Sequence, residues 1–153
     1  MFRTLAIAMC LFAGAQVWAQ SQTTDIRPDA NRVIGDDLLK EFMGITHEGA
    51  YNFTEDGEPT RYYSEAHHKS GKTTYIEGDI NTIGAWIIRK TVMCYAYPNV
   101  DMQGGCFRIY KVGNCFYFYN DAIPQVGDEL DRNYWTARSV KKGERPNCEP
   151  NVS

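Results

Sequence analysis

Apolar positions change their period along this chain, and each change marks an element. Val33, Ile34, Leu38, Leu39, Phe42 and Met43 recur at helical spacing. That pattern predicts one short amphipathic helix, with Asp36 capping the first turn and Gly44 ending the last. Its apolar stripe is expected to pack on a sheet or plug one end of a barrel. After Gly44 the period falls to two. Tyr51-Asn52-Phe53-Thr54 and Thr60-Arg61-Tyr62-Tyr63 flank Glu55-Asp56-Gly57-Glu58, and Asp-Gly between β-rich runs is a hairpin signal. A second hairpin is expected around Lys69-Ser70-Gly71-Lys72, with Thr73 to Ile76 as its returning strand. Gly78 and Asn81 then punctuate the way into the central stretch.

From Gly84 to Tyr119, nine of thirty-six residues are aromatic and three of the five cysteines occur. The stretch reads as an antiparallel meander. With a turn centred on Val112-Gly113, Ile109 faces Phe116 and Phe107 faces Phe118, so these four share a core face. Burying each is worth roughly 1.5–3 kcal/mol. Cys106, Arg108, Tyr110, Cys115, Tyr117 and Tyr119 point the other way, and their bulk predicts that this second face is also covered, by the helix, the tail or a ligand. Trp86, Ile88, Val92, Cys94 and Ala96 share even parity, and Arg89-Lys90-Thr91 either continues a strand or turns it. Asn120 to Pro124 breaks the sheet. Tyr134 to Val140 alternates as a last strand, and Gly143 to Cys148 is irregular. The fold class that follows is mainly β: a single antiparallel meander of about seven or eight strands, curled into a small barrel or sandwich, with one short N-terminal helix.

Composition changes the picture in one respect. Residues 1–19 combine Arg3, the apolar run Leu5 to Phe12 and a small-residue end at Ala19, which is the pattern of a cleaved secretory signal peptide. The run is too short to cross roughly 30 Å of hydrocarbon. Residues 20–32 read as a flexible leader and residues 33–148 as one β-rich domain. The expected location is the periplasm or the exterior, with no membrane span after cleavage. The formal charge of −3 becomes −4 without Arg3, with 15 basic against 19 acidic side chains. No basic stripe exists to displace counterions from a phosphate backbone, so nucleic acid is not an expected partner.

Loss of Cys10 with the leader leaves Cys94, Cys106, Cys115 and Cys148. An even count in an exported chain implies disulfides, with three possible connectivities. The tight turn puts Tyr110, not Cys106, opposite Cys115. The expected pairs are therefore Cys94 with Cys106 and Cys115 with Cys148. A loop of about a dozen residues closed this way gains roughly 3 kcal/mol. No C-x-x-C is present, so redox catalysis is not indicated.

Candidates for chemistry are few. His67-His68 would point to opposite faces of a strand and are expected in a solvated loop, with His47 alone elsewhere. Asp36-Asp37 and Glu55-Asp56 are explained by a helix start and a turn. Asp128, Glu129 and Asp131 lack the order of a calcium loop. No G-x-S-x-G, H-E-x-x-H or phosphate-cradling loop occurs, and no catalytic residue, cofactor or metal is expected. Asn52-Phe53-Thr54 and Asn151-Val152-Ser153 match the glycosylation pattern. Tyr95, Tyr97, Tyr117, Tyr119 and Trp86 are the candidates for a ligand or partner surface.

Gly84-Ala85-Trp86, Val92 to Tyr97, Cys106 to Tyr110, Gly113 to Phe118 and Pro146-Asn147-Cys148 together resemble a family of small exported bacterial proteins of uncharacterised function, the one numbered nine hundred and ninety-five among the domains of unknown function. The likeness covers roughly Leu39 to Cys148. Arg89-Lys90-Thr91 stands where that pattern would have Gly or Asp. The resemblance implies a periplasmic, β-rich, lipocalin-like module and transfers no catalytic residues. The expected function is a non-enzymatic binding or envelope-associated protein, whose partner is a small apolar ligand or an envelope protein. Two alternatives are a lysozyme-inhibitor-like barrel, from Ser70-Gly71-Lys72-Thr73-Thr74-Tyr75, and an enzyme built around His47, His67 and nearby carboxylates.

Overall fold

The computed structural model describes residues 31–52, 60–98, 104–123 and 135–148. In chain order these form β1 (Arg32–Val33), α1 (Asp36–Phe42), β2 (Thr46–Tyr51), β3 (Tyr62–His67), β4 (Lys72–Glu77), β5 (Ile80–Arg89), β6 (Val92–Ala96), β7 (Gly105–Val112), β8 (Cys115–Asn120) and β9 (Ala137–Lys141). From β2 to β9 each strand pairs antiparallel with the next, and β9 returns to pair with β2. The result is a closed eight-stranded up-and-down barrel. Among the described residues, closure leaves no long free edge on which another chain could add. β1 lies outside this ring, pairing with the end of β7 that β6 does not reach. Among the described residues no helix is long and apolar enough to cross a membrane.

Period two sorts side chains into barrel interior and exterior. His47, Tyr63, Glu65, His67, Thr73, Tyr75, Trp86, Met93, Tyr95, Ile109, Phe116, Phe118 and Ala137 are buried. The helix closes one end. Leu38 and Phe42, one turn apart, are fully buried, and the Phe42 ring lies 5.1 Å from Phe116 and 6.0 Å from Phe118. Glu41 reaches Lys111 at 2.6 Å and Lys141 at 2.7 Å on the barrel rim, holding the plug in place.

The helix differs from its sequence reading at its start. Val33 belongs to β1, and Gly35, with φ +53, separates strand from helix. Gly35 rather than Asp36 is the N-cap; Asp36 and Asp37 sit in the first turn, where they oppose the helix dipole favourably. The true apolar stripe is narrow, since Ile34, Leu39 and Met43 are exposed. Arg32, assigned by sequence to the leader, is likewise in β1.

Ile109, Phe116 and Phe118 occupy the core face as expected, with Phe107 packed against them. The register is shifted, however: Ile109 pairs with Phe118, and Val112 rather than Tyr110 lies opposite Cys115. The turn is Gly113-Asn114, and Gly113 at φ +59 supplies the left-handed first position of a type II′ turn. A shift of two residues keeps every side chain on its face. The outer face of β7, β8 and β9 carries a second cluster of Tyr110, Cys115, Tyr117, Tyr119, Trp135, Val140 and Cys148. The tail is what covers it. Asn114 Nδ2 donates to Glu144 and to the Arg145 carbonyl, and the Asn147 amide donates to Asn114 Oδ1. Both expected disulfides are present: Cys94–Cys106 joins directly paired positions of β6 and β7, and Cys115–Cys148 fastens the tail.

Arg89 pairs with Val92, so Lys90-Thr91 is a two-residue turn. Across it parity inverts: Trp86 faces inward, but so do Met93 and Tyr95, and Cys94 faces out. Lys90 holds φ +56, a conformation that costs a non-glycine residue about 1–2 kcal/mol. Lys90→Gly is therefore expected to stabilise the fold by about 0.5–1 kcal/mol, less than the strain because glycine also frees the unfolded chain. Equilibrium urea unfolding checks this, and a destabilised variant would contradict it.

Candidate functional site

At the end away from α1 the barrel is not filled. A cavity of about 370 Å³ opens there between the strands, within the roughly 300–1,000 Å³ of small-molecule sites. Tyr51, Tyr63, Tyr75, Tyr97 and Tyr95 line it as a continuous arc, with successive ring centroids 5.2, 5.8, 5.6 and 6.4 Å apart.

Two glycines make the arc possible. A Cβ on Gly49 would lie 2.7 Å from the Tyr63 ring, and one on Gly84 would lie 2.6 Å from the Tyr97 ring. Tyr63 therefore lies over β2. Tyr97, just beyond β6, lies over β5, and its hydroxyl reaches Glu65 on β3. Without side chains at these two positions the wall is thin enough for the rings to lie flat.

Two carboxylates stand among the hydroxyls. At the rim, Glu77 accepts both arms of the Arg61 guanidinium, Nη2 at 2.9 Å, and a hydroxyl proton from Tyr75 at 2.5 Å. Tyr75 in turn accepts from Tyr51 at 2.7 Å. The bonds from Arg61 hold the Glu77 carboxyl below its ordinary range. Glu65 lies two residues deeper than Tyr63 along β3 and is only 6 % exposed. Its Oε1 accepts from Thr73 Oγ1 at 2.8 Å and from the Tyr97 hydroxyl. Burial outweighs these two bonds and pushes its pKa up to about 7.

Below this floor the interior is closed. His67 sets Nδ1 against the Ile45 carbonyl at 3.2 Å and Nε2 against the Tyr95 hydroxyl at 2.8 Å, and the same hydroxyl donates to Met93 Sδ at 2.7 Å. His47 stacks on Phe42 at 4.4 Å, and neither of its ring nitrogens has a hydrogen-bond partner among the described residues. Burial pushes His47 down to about 3 and His67 to about 4. Both are core side chains, so the solvated loop expected for His67-His68 applies to His68 alone, whose Nε2 lies 2.9 Å from Thr74. Among the described residues no group of three His, Cys, Asp or Glu side chains is placed to hold a metal ion.

The five residues singled out from sequence fall in three places. Tyr95 and Tyr97 line the cavity. Trp86 faces inward near the helix end, its indole N–H donating to the His68 carbonyl at 3.1 Å. Tyr117 and Tyr119 lie outside the barrel, in the cluster under the tail. Thr73 and Tyr75 of the inhibitor-like segment are buried inside. Asp128, Glu129, Asp131 and the Glu55-Asp56 turn lie outside the described residues. Sequence reasoning missed Tyr51, Tyr63, Glu65, Tyr75 and Glu77. The alternation Tyr63-Ser64-Glu65-Ala66-His67 held the signal, because it puts a carboxylate on an inward parity.

The fold and the cavity define a class: a disulfide-stabilised β-module, an antiparallel barrel plugged at one end and cupped at the other. No family model, curated protein or solved structure matches the chain.

Proposed function

We propose that this chain is an exported, non-enzymatic binding protein that holds a small molecule in the open cup of its barrel. The observation that carries the reading is the tyrosine-lined cavity, whose wall includes the buried carboxylate of Glu65 beside Phe107 and Phe118. A stability-driven core would fill that volume, since voids and buried charge both cost folding free energy. The two disulfides suit an oxidising compartment such as the periplasm. The histidines of an enzyme reading are sealed beneath the floor, away from any substrate in the cup.

The neutral fluorescent probe N-phenyl-1-naphthylamine tests this. It is expected to bind saturably, one per chain, and to be expelled by Gly105→Phe. Gly105 lines the cup, and a Cβ there meets only the Phe107 ring at 3.5 Å, so a larger side chain can extend into the cavity. Unchanged circular dichroism confirms that the variant folds. Equal probe binding by the folded variant and the parent would place the site elsewhere and defeat the reading.

A further inference from the structure

We propose that the cup selects a small organic cation, an amine on a flat or aromatic body, whose ammonium group pairs with Glu65; this deepens the cup-binding reading and rests on it. Both protein hydrogen bonds to the carboxylate end on Oε1. Oε2 has no hydrogen-bond partner among the described residues, and the side chain lines the cavity. A buried carboxylate ordinarily has a cation beside it.

The charges facing this carboxylate supply none. On β3 the groups are Tyr63, which is neutral because burial pushes its phenol well up, and His67, held neutral beneath. β4 contributes Thr73, Tyr75 and Glu77, and β6 with its continuation contributes Tyr95 and Tyr97, whose phenols are likewise pushed up by burial. Tyr51 on β2 is neutral for the same reason. Arg61, at the rim, is engaged by Glu77 through two bonds. The positive charge that would balance Glu65 is therefore missing from the described protein and fits a ligand. Tyrosine faces attract cations through their ring quadrupole. The arc of five rings already shows this with Arg61, whose guanidinium carbon lies 4.9 Å from the Tyr51 ring centroid. Anions would meet two carboxylates, and the chain's net charge of −3 also favours cation entry.

Titration calorimetry with tyramine, and with tyrosol, which replaces its ammonium by a hydroxyl, separates the outcomes. At pH 7.5 tyramine is expected to bind at least tenfold more tightly than tyrosol. Glu65→Gln should remove that difference. Lowering the pH to 5.5 should weaken tyramine and leave tyrosol unchanged, because a proton then competes for the carboxylate. Equal affinities of the two phenols, or no binding of either while N-phenyl-1-naphthylamine still binds, would overturn the cation inference and leave the cup intact. Failure of all three probes would overturn the cup reading as well.

Discussion

Acidification from pH 7 to pH 4 is expected to remove about 3 kcal/mol of folding stability, and Glu65→Gln to roughly double that loss. His47 and His67 are each 1 % exposed, and burial places their folded-state pKa values at about 3 and about 4, below the 6.5 of the unfolded chain. Their contribution is fully present above 6.5 and is lost as pH falls toward those values. Glu65 has the opposite sign. Its folded pKa is raised from 4.5 to about 7, so its contribution is fully present below 4.5 and is lost as pH rises through 7. Between pH 6.5 and 4.5 the unfolded chain gains two imidazole protons while the native state gains one carboxyl proton. The net slope there is about 1.4 kcal/mol per pH unit. Glutamine in place of Glu65 removes the opposing contribution, and the slope doubles. The same variant should be about 3 kcal/mol more stable than the parent at pH 8, where the parent carries an unbalanced buried charge. Urea unfolding of both proteins at pH 8, 7, 5.5 and 4 measures all of this. Parallel stability curves for the two proteins would show that Glu65 is not held as the structure places it.

Phe42→Ala is expected to cost about 3–5 kcal/mol, a large share of the roughly 5–15 kcal/mol that a domain possesses. The ring is fully buried at the centre of the plug. It stacks on His47 at 4.4 Å and meets Phe116 edge-on at 5.1 Å and His67 at 5.2 Å. Its removal leaves a cavity under a helix of only seven residues, too short to hold itself without packing. Leu39→Ala provides the contrast on the same helix: at 38 % exposure it should cost less than about 1 kcal/mol. Similar small losses for both variants would mean that α1 does not plug the barrel. The cup lies at the other end, so Phe42→Ala protein that remains folded should retain probe binding.

The interior of the barrel is divided in two. At the helix end, aromatic and aliphatic side chains fill the barrel and contribute stability. At the open end, burial of the Glu65 carboxyl is expected to lower stability above neutral pH. Residues that weaken a fold while lining a cavity are where binding sites are expected, and here the two properties coincide in one side chain.

Much of the barrel wall was legible from the residues themselves. The alternation in Phe107, Ile109, Phe116 and Phe118 reported a core face whatever the register, because a slip of two residues leaves the face unchanged. The cysteine pairs were accessible for a related reason: Cys94 and Cys106 sit on neighbouring strands of one meander, and Cys148 needed an anchor for an irregular tail. The helix start and the Lys90-Thr91 turn were less legible, since the chain there follows a glycine at positive φ in one case and a strained lysine in the other.

The candidate site was mostly hidden. Aromatic density points to Tyr95 and Tyr97, and it points equally to Tyr117 and Tyr119, which pack under the tail. Density does not report which side of a wall a ring occupies.

Taken alone, the order of amino acids determined the strand rhythm and the mainly β character, because these follow from neighbours along the chain, and the even cysteine count with the order of the meander pointed to the two sulfur crosslinks. Only the tertiary structure decided that β9 closes on β2 and that Tyr51, Glu65, Tyr75 and Tyr97 share one cup. Closure converts a face of a sheet into an interior. Which residues meet across that interior depends on the tilt and register of all eight strands together, a property that no single stretch of sequence carries.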